Sequence, residues 1–307
     1  MNRSLMPLLR RAAAWANGAI FLVATACSGV ASAATPIPTL GIVATTPFEV
    51  RVVGAGPDVL LIPGLASSGA TWDGVVAHLS PHFRCHVFTL AGFAGVPAVA
   101  GPPLDNAEAA IDAYVHAQHL RTPLVIGHSL GGFVALRLAI DHPADVGKLV
   151  IVDALPALGA SRMDSLTPAQ LHQFAEQMRQ QLNAQDDAHY AAAQASQIAT
   201  LVTTPADVSR VQAWGRDSDR ATVVAAMVDM LGDDLRPQLR RVHAPTLVLG
   251  SWAAYKDVST LEASRAIYVR QYADLAGVRI DMAPTARHFI MLDDPAWFDA
   301  TLDAFLP

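Results

Sequence analysis

The chain has 307 residues, of which 52% are hydrophobic and 16% are charged, and its formal net charge is −6. A chain of this length can bury a large core, and its low charge excludes a disordered or fibrous protein. The 21 basic residues do not outnumber the 27 acidic ones, so we expect no nucleic-acid partner. Two cysteines are too few for a disulfide-rich scaffold or a four-thiolate zinc site.

Residues 1–33 have the three parts of an export signal. Three arginines within the first 11 residues precede an apolar run over 19–26, and Ala31-Ser32-Ala33 fits a signal-peptidase site. The alternatives are a lipoprotein at Cys27 and an uncleaved anchor, for which the run is shorter than the ~20 residues of a membrane span. We therefore expect cleavage after Ala33 and a periplasmic or secreted mature protein that has no stable membrane span and no disulfide.

Short apolar segments alternate with helical ones after an extended, proline-containing stretch over 34–46. Strands are predicted at 48–53, 59–62, 85–90, 124–126 and 149–152. Helices are predicted at 71–79, from a cap at Asp105 or Asn106 to about 120, and at 130–141. The run over 59–62 is unbroken and apolar, which is typical of a strand in a sheet buried on both faces. Regular alternation of strand and helix predicts a parallel sheet with right-handed crossovers.

The alternation stops over 154–242, a stretch rich in Ala, Gln and Asp that is predicted to be helical. Strands resume at 246–249 and 278–282, with helices at about 260–275 and 295–305. We therefore predict one α/β domain, formed by residues 34–153 and 243–307, with residues 154–242 as a helical insertion.

The segment Gly127-His128-Ser129-Leu130-Gly131 lies between a predicted strand and a predicted helix. Gly-x-Ser-x-Gly in this context predicts a sharp turn that lifts the Ser129 hydroxyl above the sheet. The N-terminus of the following helix then points N–H groups at the serine, where they can stabilise developing negative charge. We predict that Ser129 is a nucleophile; the alternative is a plain strand-to-helix turn.

Together these features resemble the α/β-hydrolase superfamily over nearly all of the mature chain. The resemblance rests on the serine turn, on Ile62-Pro63-Gly64-Leu65, on Gly92-Phe93 and on a histidine segment near the C-terminus. It implies an α/β-hydrolase fold: a mostly parallel central sheet flanked by helices, with the insertion as a helical cap. No set of histidines has convincing metal-ligand spacing, so we expect no metal and no cofactor.

The resemblance also implies the partners of Ser129. One oxyanion donor comes from the loop after the second strand; because Pro63 has no N–H, we expect the N–H of Leu65 to act with that of Leu130. The alternative is an ordinary Pro-Gly turn. The family places its histidine after the last strand, where this chain has His288. A serine hydroxyl needs such a base at neutral pH.

The triad acid departs from the family's pattern. It usually follows the strand predicted at 246–249, but Ala253 stands near that place and Asp257 comes four residues later, beside a predicted helix cap. Asp153, at the end of the 149–152 strand, has the position that some dehalogenases and lipases of the superfamily use. We favour Asp153 as the acid; Asp257 and a Ser–His dyad are the alternatives.

These residues predict an exported serine hydrolase that cleaves a small or medium carboxylic ester through a Ser-His-Asp triad and an acyl-enzyme. A C–C bond hydrolase or a haloperoxidase-like enzyme would use the same triad. The unusual acid loop also leaves a non-catalytic binding protein with this fold as an alternative. The expected partner in every enzymatic case is a small-molecule ester or a related acyl compound.

Overall fold

A computed structural model describes residues 47–161, 163 and 165–306 of the chain. The predicted export signal, its cleavage site and the extended stretch over 34–46 lie outside the described residues.

Seven strands form one central sheet. They are β1 (Phe48–Gly54), β2 (Asp58–Ile62), β3 (Arg84–Leu90), β4 (Leu124–His128), β5 (Lys148–Val152), β6 (Thr246–Gly250) and β7 (Arg279–Met282). Their order across the sheet is β1-β3-β2-β4-β5-β6-β7. Only the pairing of β1 with β3 is antiparallel, and the other five pairings are parallel. The carboxyl ends of the parallel strands therefore meet at one edge, where open α/β sheets bind ligands.

Helices cover both faces of this sheet. They are α1 (Asp73–Leu79), α2 (Pro103–Ala117), α3 (Leu130–Asp141), α4 (Pro168–Asn183), α5 (Asp187–Leu201), α6 (Pro205–Arg216), α7 (Arg220–Gly232), α8 (Leu261–Gln271), α9 (Ile290–Asp293) and α10 (Pro295–Asp303). Alternate residues of one strand enter opposite cores: Leu60 and Ile62 pack with α2, α3 and α8, whereas Val59 and Leu61 pack with α1 and α10. As predicted, these strand residues are apolar because both faces of the sheet are buried there.

The helix cap predicted at Asp105 or Asn106 is wrong. Helix α2 begins at Pro103, with Pro102 in the N-cap position. Proline suits the first turn because its missing N–H would have no intrahelical partner there. Asp105 instead lies in the first turn, where its carboxylate faces the positive end of the helix dipole.

Between β5 and β6 the described residues contain the four helices α4 to α7 and no strand. Each of these helices begins at a side-chain cap that accepts a backbone N–H, a contact that contributes about 1 kcal/mol; the caps are Thr167, Asp186, Thr204 and Asp219. Helix α7 packs into the core that contains α2 and α3, while α5 and α6 reach the core on the other face. None of the helices in the described part of the chain is long and apolar enough to cross a membrane.

Candidate active site

Ser129 lies at the sharp turn between β4 and α3. Its backbone has φ 52° and ψ −119°, a conformation that residues with a side chain rarely adopt. The Ser129 N–H donates to the carbonyl of Val152 at 2.8 Å, which ties the turn to the end of β5. The Ser129 side chain makes no capping bond to α3 and is partly exposed. The strained backbone therefore presents a hydroxyl that the helix does not engage.

The glycines on each side of Ser129 are needed because backbones cross there. A Cβ at Gly127 would lie 2.2 Å from the carbonyl oxygen of Gly131. A Cβ at Gly131 would lie 2.3 Å from the carbonyl oxygen of Ile62 and 2.4 Å from that of Pro63. The same contacts place the loop after β2 directly against the serine turn, as the resemblance implied.

Both predicted oxyanion donors belong to these two touching segments. Leu130 is the first residue of α3, so its N–H has no intrahelical acceptor. Around Leu65 the turn is closed by Ser67, whose N–H donates to Gly64 at 3.2 Å and whose hydroxyl donates to the Leu65 carbonyl at 3.1 Å. These bonds use carbonyl groups and leave the N–H of Leu65 available as a donor.

His288 and Asp153 are in direct contact. Nδ1 of His288 lies 2.6 Å from Oδ2 of Asp153, although 135 residues separate them in the chain. Because a carboxylate only accepts hydrogen bonds, Nδ1 carries the proton and Nε2 is free to take one. The histidine side chain is 21% exposed and the aspartate side chain 7% exposed. The structure therefore joins the favoured acid to the predicted base.

Two further side chains hold the Asp153 carboxylate, and sequence analysis missed both. Ser251 donates to Oδ1 through its N–H at 2.6 Å and to Oδ2 through its hydroxyl at 2.8 Å. Tyr268, on α8, donates its hydroxyl to Oδ1 at 2.5 Å. Ser251 stands directly after β6, close to the usual place of the acid, so a polar residue there was a signal. Tyr268 had no comparable signal, because only the fold brings α8 beside β5.

These donors keep Asp153 ionised. Burial on its own would raise the pKa of the carboxyl, but the hydrogen bonds from His288, Tyr268 and Ser251 and the charge of His288 hold that pKa below its ordinary value. The opposite holds for Tyr268, since burial and the neighbouring carboxylate raise its pKa well above the usual range. The phenol therefore stays protonated and remains a donor.

The alternative acid, Asp257, is not brought to His288. It is exposed, and it lies three residues before Thr260, whose side chain caps α8. A carboxylate in this position favours the positive end of the helix dipole.

His128, the residue before the nucleophile, holds the backbone of the histidine loop. It is fully buried, and its Nε2 donates to the carbonyl of His288 at 3.0 Å. Its ring lies 4.6 Å from the rings of His288 and Phe289. Burial, with the nearby charge of His288, lowers the pKa of His128 to about 3, so this imidazole is neutral at physiological pH. No local pattern indicates this contact, because 160 residues separate His128 from His288.

Comparison with known proteins identifies the family. The model of the alpha/beta hydrolase family matches residues 59–301. The chain belongs to the alpha/beta hydrolase family. The predicted fold and the prediction of a hydrolase are thereby confirmed.

Named relatives extend this result. A pimeloyl-[acyl-carrier protein] methyl ester esterase of Nitrosomonas europaea is 30% identical over 274 residues, which cover 84% of this chain and 98% of that protein. A protein of the same name from Vibrio vulnificus strain YJ016 is 36% identical over 135 residues, 44% of this chain and 51% of the relative.

Solved structures share the fold at low sequence identity. The enol-lactonase of Burkholderia xenovorans LB400 has a TM-score of 0.68 at 19% identity and covers 84% of this chain and 96% of its own. The bromoperoxidase of Bacillus anthracis has a TM-score of 0.70 at 16% identity, with coverages of 84% and 95%. Because enzymes with different names share this architecture, the fold alone does not specify the reaction.

Proposed function

We propose that this hydrolase is a serine esterase in which Ser129, His288 and Asp153 form the catalytic triad. The observation that carries the proposal is the 2.6 Å contact between His288 Nδ1 and Asp153 Oδ2, at the sheet edge where the strained Ser129 turn is tied to β5. A nucleophile, a base and a group that orients the base are the parts that such catalysis requires.

In the proposed reaction, the Ser129 hydroxyl attacks the ester carbonyl and Nε2 of His288 takes its proton. The imidazolium then returns that proton to the leaving alcohol, which breaks the C–O bond and leaves an acyl-enzyme. Asp153 stabilises the imidazolium and keeps the ring in the tautomer with the proton on Nδ1. A water molecule, activated by His288, releases the acid and restores the serine.

Charge on the tetrahedral intermediate falls on the carbonyl oxygen. The N–H groups of Leu65 and Leu130 are proposed to bind this oxyanion, since they belong to the loop and the helix N-terminus that flank Ser129. Donors that are already in place cost no reorganisation when the charge develops, and one such donor contributes about 3 to 4 kcal/mol of transition-state stabilisation.

The proposed substrate is a carboxylic ester of a small alcohol. The named relatives of Nitrosomonas and Vibrio support this class, because each is called a methyl ester esterase. The helices α4 to α7 are proposed to form a cap over the serine, which would limit the acyl group to a small or medium size. A panel of p-nitrophenyl and methyl esters of increasing acyl length tests this class, with a β-diketone included for C–C hydrolysis.

Export is a proposal that rests on residues 1–33 alone. The basic leader, the apolar run and the Ala31-Ser32-Ala33 site support it. Fractionation of a bacterial host, followed by N-terminal sequencing of the mature protein, is expected to give a periplasmic or secreted chain that begins at Ala34. An intact N-terminus on cytoplasmic protein would exclude export.

The decisive test of the enzyme proposal replaces the nucleophile. Ser129→Ala is expected to lower kcat on a p-nitrophenyl ester by about 10⁵-fold or more, with an unchanged circular dichroism spectrum. Ser196→Ala, an exposed serine of α5, is the matched control and should retain full activity. A fluorophosphonate should label the unaltered protein at Ser129. Persistent activity of Ser129→Ala would overturn the assignment, and folded protein that neither turns over nor labels would support a binding protein instead.

A further inference from the structure

The loop that carries His288 also contacts the connection between α5 and α6. This loop, residues 283–289, follows β7, and the connection, residues 202–204, lies in the helical region between β5 and β6. Hydrogen bonds join residues 199–203 to residues 287–293, although between 85 and 90 positions separate the bonded pairs in the chain. The proposed base therefore lies in a loop that the helical region helps to hold.

Arg287 directly precedes His288 and binds the C-terminal end of α5. Its Nη1 donates to the carbonyl oxygen of Ala199 at 3.2 Å and to that of Val202 at 3.1 Å. The last carbonyl groups of a helix have no intrahelical partner and form the negative end of the helix dipole, so a guanidinium is favourable there. The residue beside the proposed base thus caps a helix that lies outside the sheet.

Asp293, at the end of α9, makes a second contact between the same two segments. Its carboxylate accepts from the N–H of Thr203 at 2.9 Å and from the Thr203 hydroxyl at 2.8 Å. It also accepts from the N–H of Arg287 at 2.9 Å. One carboxylate therefore binds both the α5–α6 connection and the residue before His288, and it fixes the distance between them.

Apolar side chains support these polar contacts. Val202 is fully buried and Phe289 is 4% exposed, and both belong to the core that also contains Ala286 and Ile290. The N–H of Phe289 donates to the carbonyl of Leu201 at 3.4 Å. Because close-packed groups transmit a displacement to their neighbours, a shift of the connection would also shift the histidine loop.

Further hydrogen bonds fix the histidine loop to the sheet. The carbonyl of His288 accepts from Nε2 of His128, and the carbonyl of Pro284 accepts from Nε1 of Trp252 at 3.1 Å. The loop is thus held both from the strand ends and from the α5–α6 connection. Both matter to the imidazole ring, because Nδ1 has to meet Asp153 while Nε2 faces the nucleophile.

We propose that Arg287, Asp293 and Thr203 are positioning residues for His288, which couple the proposed base to the α5–α6 connection. The inference rests on the proposed esterase reaction, because a base needs a fixed place only if it transfers protons. A misplacement of about 1 Å at a catalytic group can lower the rate about 100-fold. Thr203 is exposed, so the contact can be weakened there while the core stays intact.

The first test compares two substitutions at one position in the whole protein. Thr203→Val removes the hydroxyl that Asp293 accepts and keeps the shape of the side chain, whereas Thr203→Ser keeps the hydroxyl. We expect kcat for a p-nitrophenyl ester to fall at least about 3-fold in Thr203→Val, with KM unchanged, and to recover in Thr203→Ser. Thr200→Val is the matched control, because the Thr200 hydroxyl donates to the carbonyl of Gln197 within α5.

The second test removes the guanidinium. Arg287→Ala is expected to lower kcat about 10-fold or more, since it breaks both bonds to the end of α5. Arg220→Ala is the matched control. Its guanidinium likewise binds main-chain carbonyls near the end of a helix, those of Leu182 and Gln185 after and within the last turn of α4, but it does not contact the histidine loop. Its kcat should stay within about twofold of that of the unaltered protein.

The proton on Nδ1 of His288 gives a readout that does not depend on activity. In its 2.6 Å contact with Asp153 this proton resonates far downfield in the NMR spectrum and is protected from exchange with water. We expect the signal to broaden and to exchange faster in Thr203→Val and Arg287→Ala, and to be unchanged in the two control variants. Circular dichroism establishes that every variant is folded.

Two outcomes would overturn the positioning role. One is that Thr203→Val and Arg287→Ala match their controls in kcat and in the Nδ1 signal. The other is that kcat falls while the Nδ1 signal is unchanged, which would mean that these residues support the fold and not the place of His288. Failure of the esterase proposal is recognised separately, because activity would then persist in Ser129→Ala.

Discussion

The neighbouring strands β5 and β6 end beside each other, and a residue after each strand contributes to the contact with His288. Asp153, after β5, supplies the carboxylate that binds His288, and Ser251, after β6, supplies two hydrogen bonds to that carboxylate. The two ends are also joined directly, because the N–H of Asp153 donates to the carbonyl of Leu249 at 2.7 Å.

Asp153 and Ser251 can meet because the parallel strands β5 and β6 end at one edge of the sheet. Nδ1 of His288 needs a carboxylate at hydrogen-bonding distance, and an adjacent strand end can bring one as well as the usual strand can. The Asp153 side chain is only 7% exposed, and this burial on its own would raise the pKa of its carboxyl. Ser251 and Tyr268 counteract that effect by donating to the carboxylate. An acid at this strand end therefore needs donors from its neighbours.

We expect the largest effect from substitution of Asp153, the carboxylate that follows β5. In Asp153→Asn the side chain can no longer stabilise the imidazolium, and its amide favours the wrong tautomer of His288. We expect kcat/KM for a p-nitrophenyl ester to fall by about 10³- to 10⁴-fold, while Ser129 stays in place. Activity within 10-fold of the unaltered protein would remove Asp153 from the triad.

A further prediction concerns the pH dependence of stability that arises from His128, which lies at the end of β4 and is buried and neutral. Its pKa is about 3 in the folded protein, against an ordinary value of 6.5, so the unfolded chain binds more protons between these values. The contribution of neutral His128 to the free energy of unfolding is therefore fully present above pH 6.5. It decreases by about 1.4 kcal/mol per pH unit as the pH falls from 6.5 toward 3.

The variant His128→Gln isolates this contribution, since its amide can still donate to His288 but does not titrate. Urea unfolding at pH 7.5 and pH 4.5 is expected to show that the unaltered protein loses about 3 kcal/mol more than the variant does. Equal losses in the two proteins would mean that His128 is protonated without cost in the folded state.

We expect smaller effects from substitutions of the two residues that support Asp153, which are Ser251 after β6 and Tyr268 on α8. Tyr268→Phe and Ser251→Ala each remove a donor from the Asp153 carboxylate, whose pKa should then rise. A hydrogen bond to a charged group contributes about 1.5 kcal/mol or more, so we expect kcat to fall about 10-fold in each variant. The acid limb of the kcat/KM profile should move to higher pH.

The pH profile distinguishes support of the acid from a general packing role. Tyr272→Phe is a suitable control, because its hydroxyl donates to the carbonyl of Ala154 at 2.8 Å and not to the carboxylate. If kcat falls in Tyr268→Phe but the acid limb of its kcat/KM profile stays at the same pH, Tyr268 has a structural role only.

The smallest expected effect is that of Asp257→Asn. This carboxylate is exposed and lies near the start of α8, so its loss removes a favourable interaction with the helix dipole of about 0.5 kcal/mol. Kinetic constants should stay within about twofold of those of the unaltered protein. A loss of activity as large as that of Asp153→Asn would indicate that the acid is Asp257, which follows β6, and not Asp153.

Local patterns predicted much of this molecule. The predicted strands end within two residues of the observed ones, and the clearest of them, β2 and β5, are apolar runs in the buried middle of the sheet. The turn around Ser129 and the place of His288 follow from short segments whose chemistry is local. The start of α2 differs from the prediction because Asp105 and Asn106 are residue types that favour the N-cap, whereas the helix begins at Pro103.

Long-range contacts account for what the sequence could not predict. Asp153 is separated by 98 residues from Ser251 and by 115 from Tyr268, so their hydrogen bonds depend on how the strands and α8 pack. The role of His128 depends on the carbonyl of His288, 160 residues away. The sequence alone likewise does not decide between Asp153 and Asp257, because the contact of His288 with Asp153 spans 135 residues.

The proposed mechanism requires that Ser129 is the nucleophile and that the acid follows β5. A crystal structure of the protein after reaction with a fluorophosphonate tests both parts at once. We expect phosphorus on Oγ of Ser129, a phosphonyl oxygen that accepts from the N–H groups of Leu65 and Leu130, and Nδ1 of His288 hydrogen-bonded to Asp153. Phosphorus on another residue, or His288 bonded to a different carboxylate such as Asp257, would contradict it.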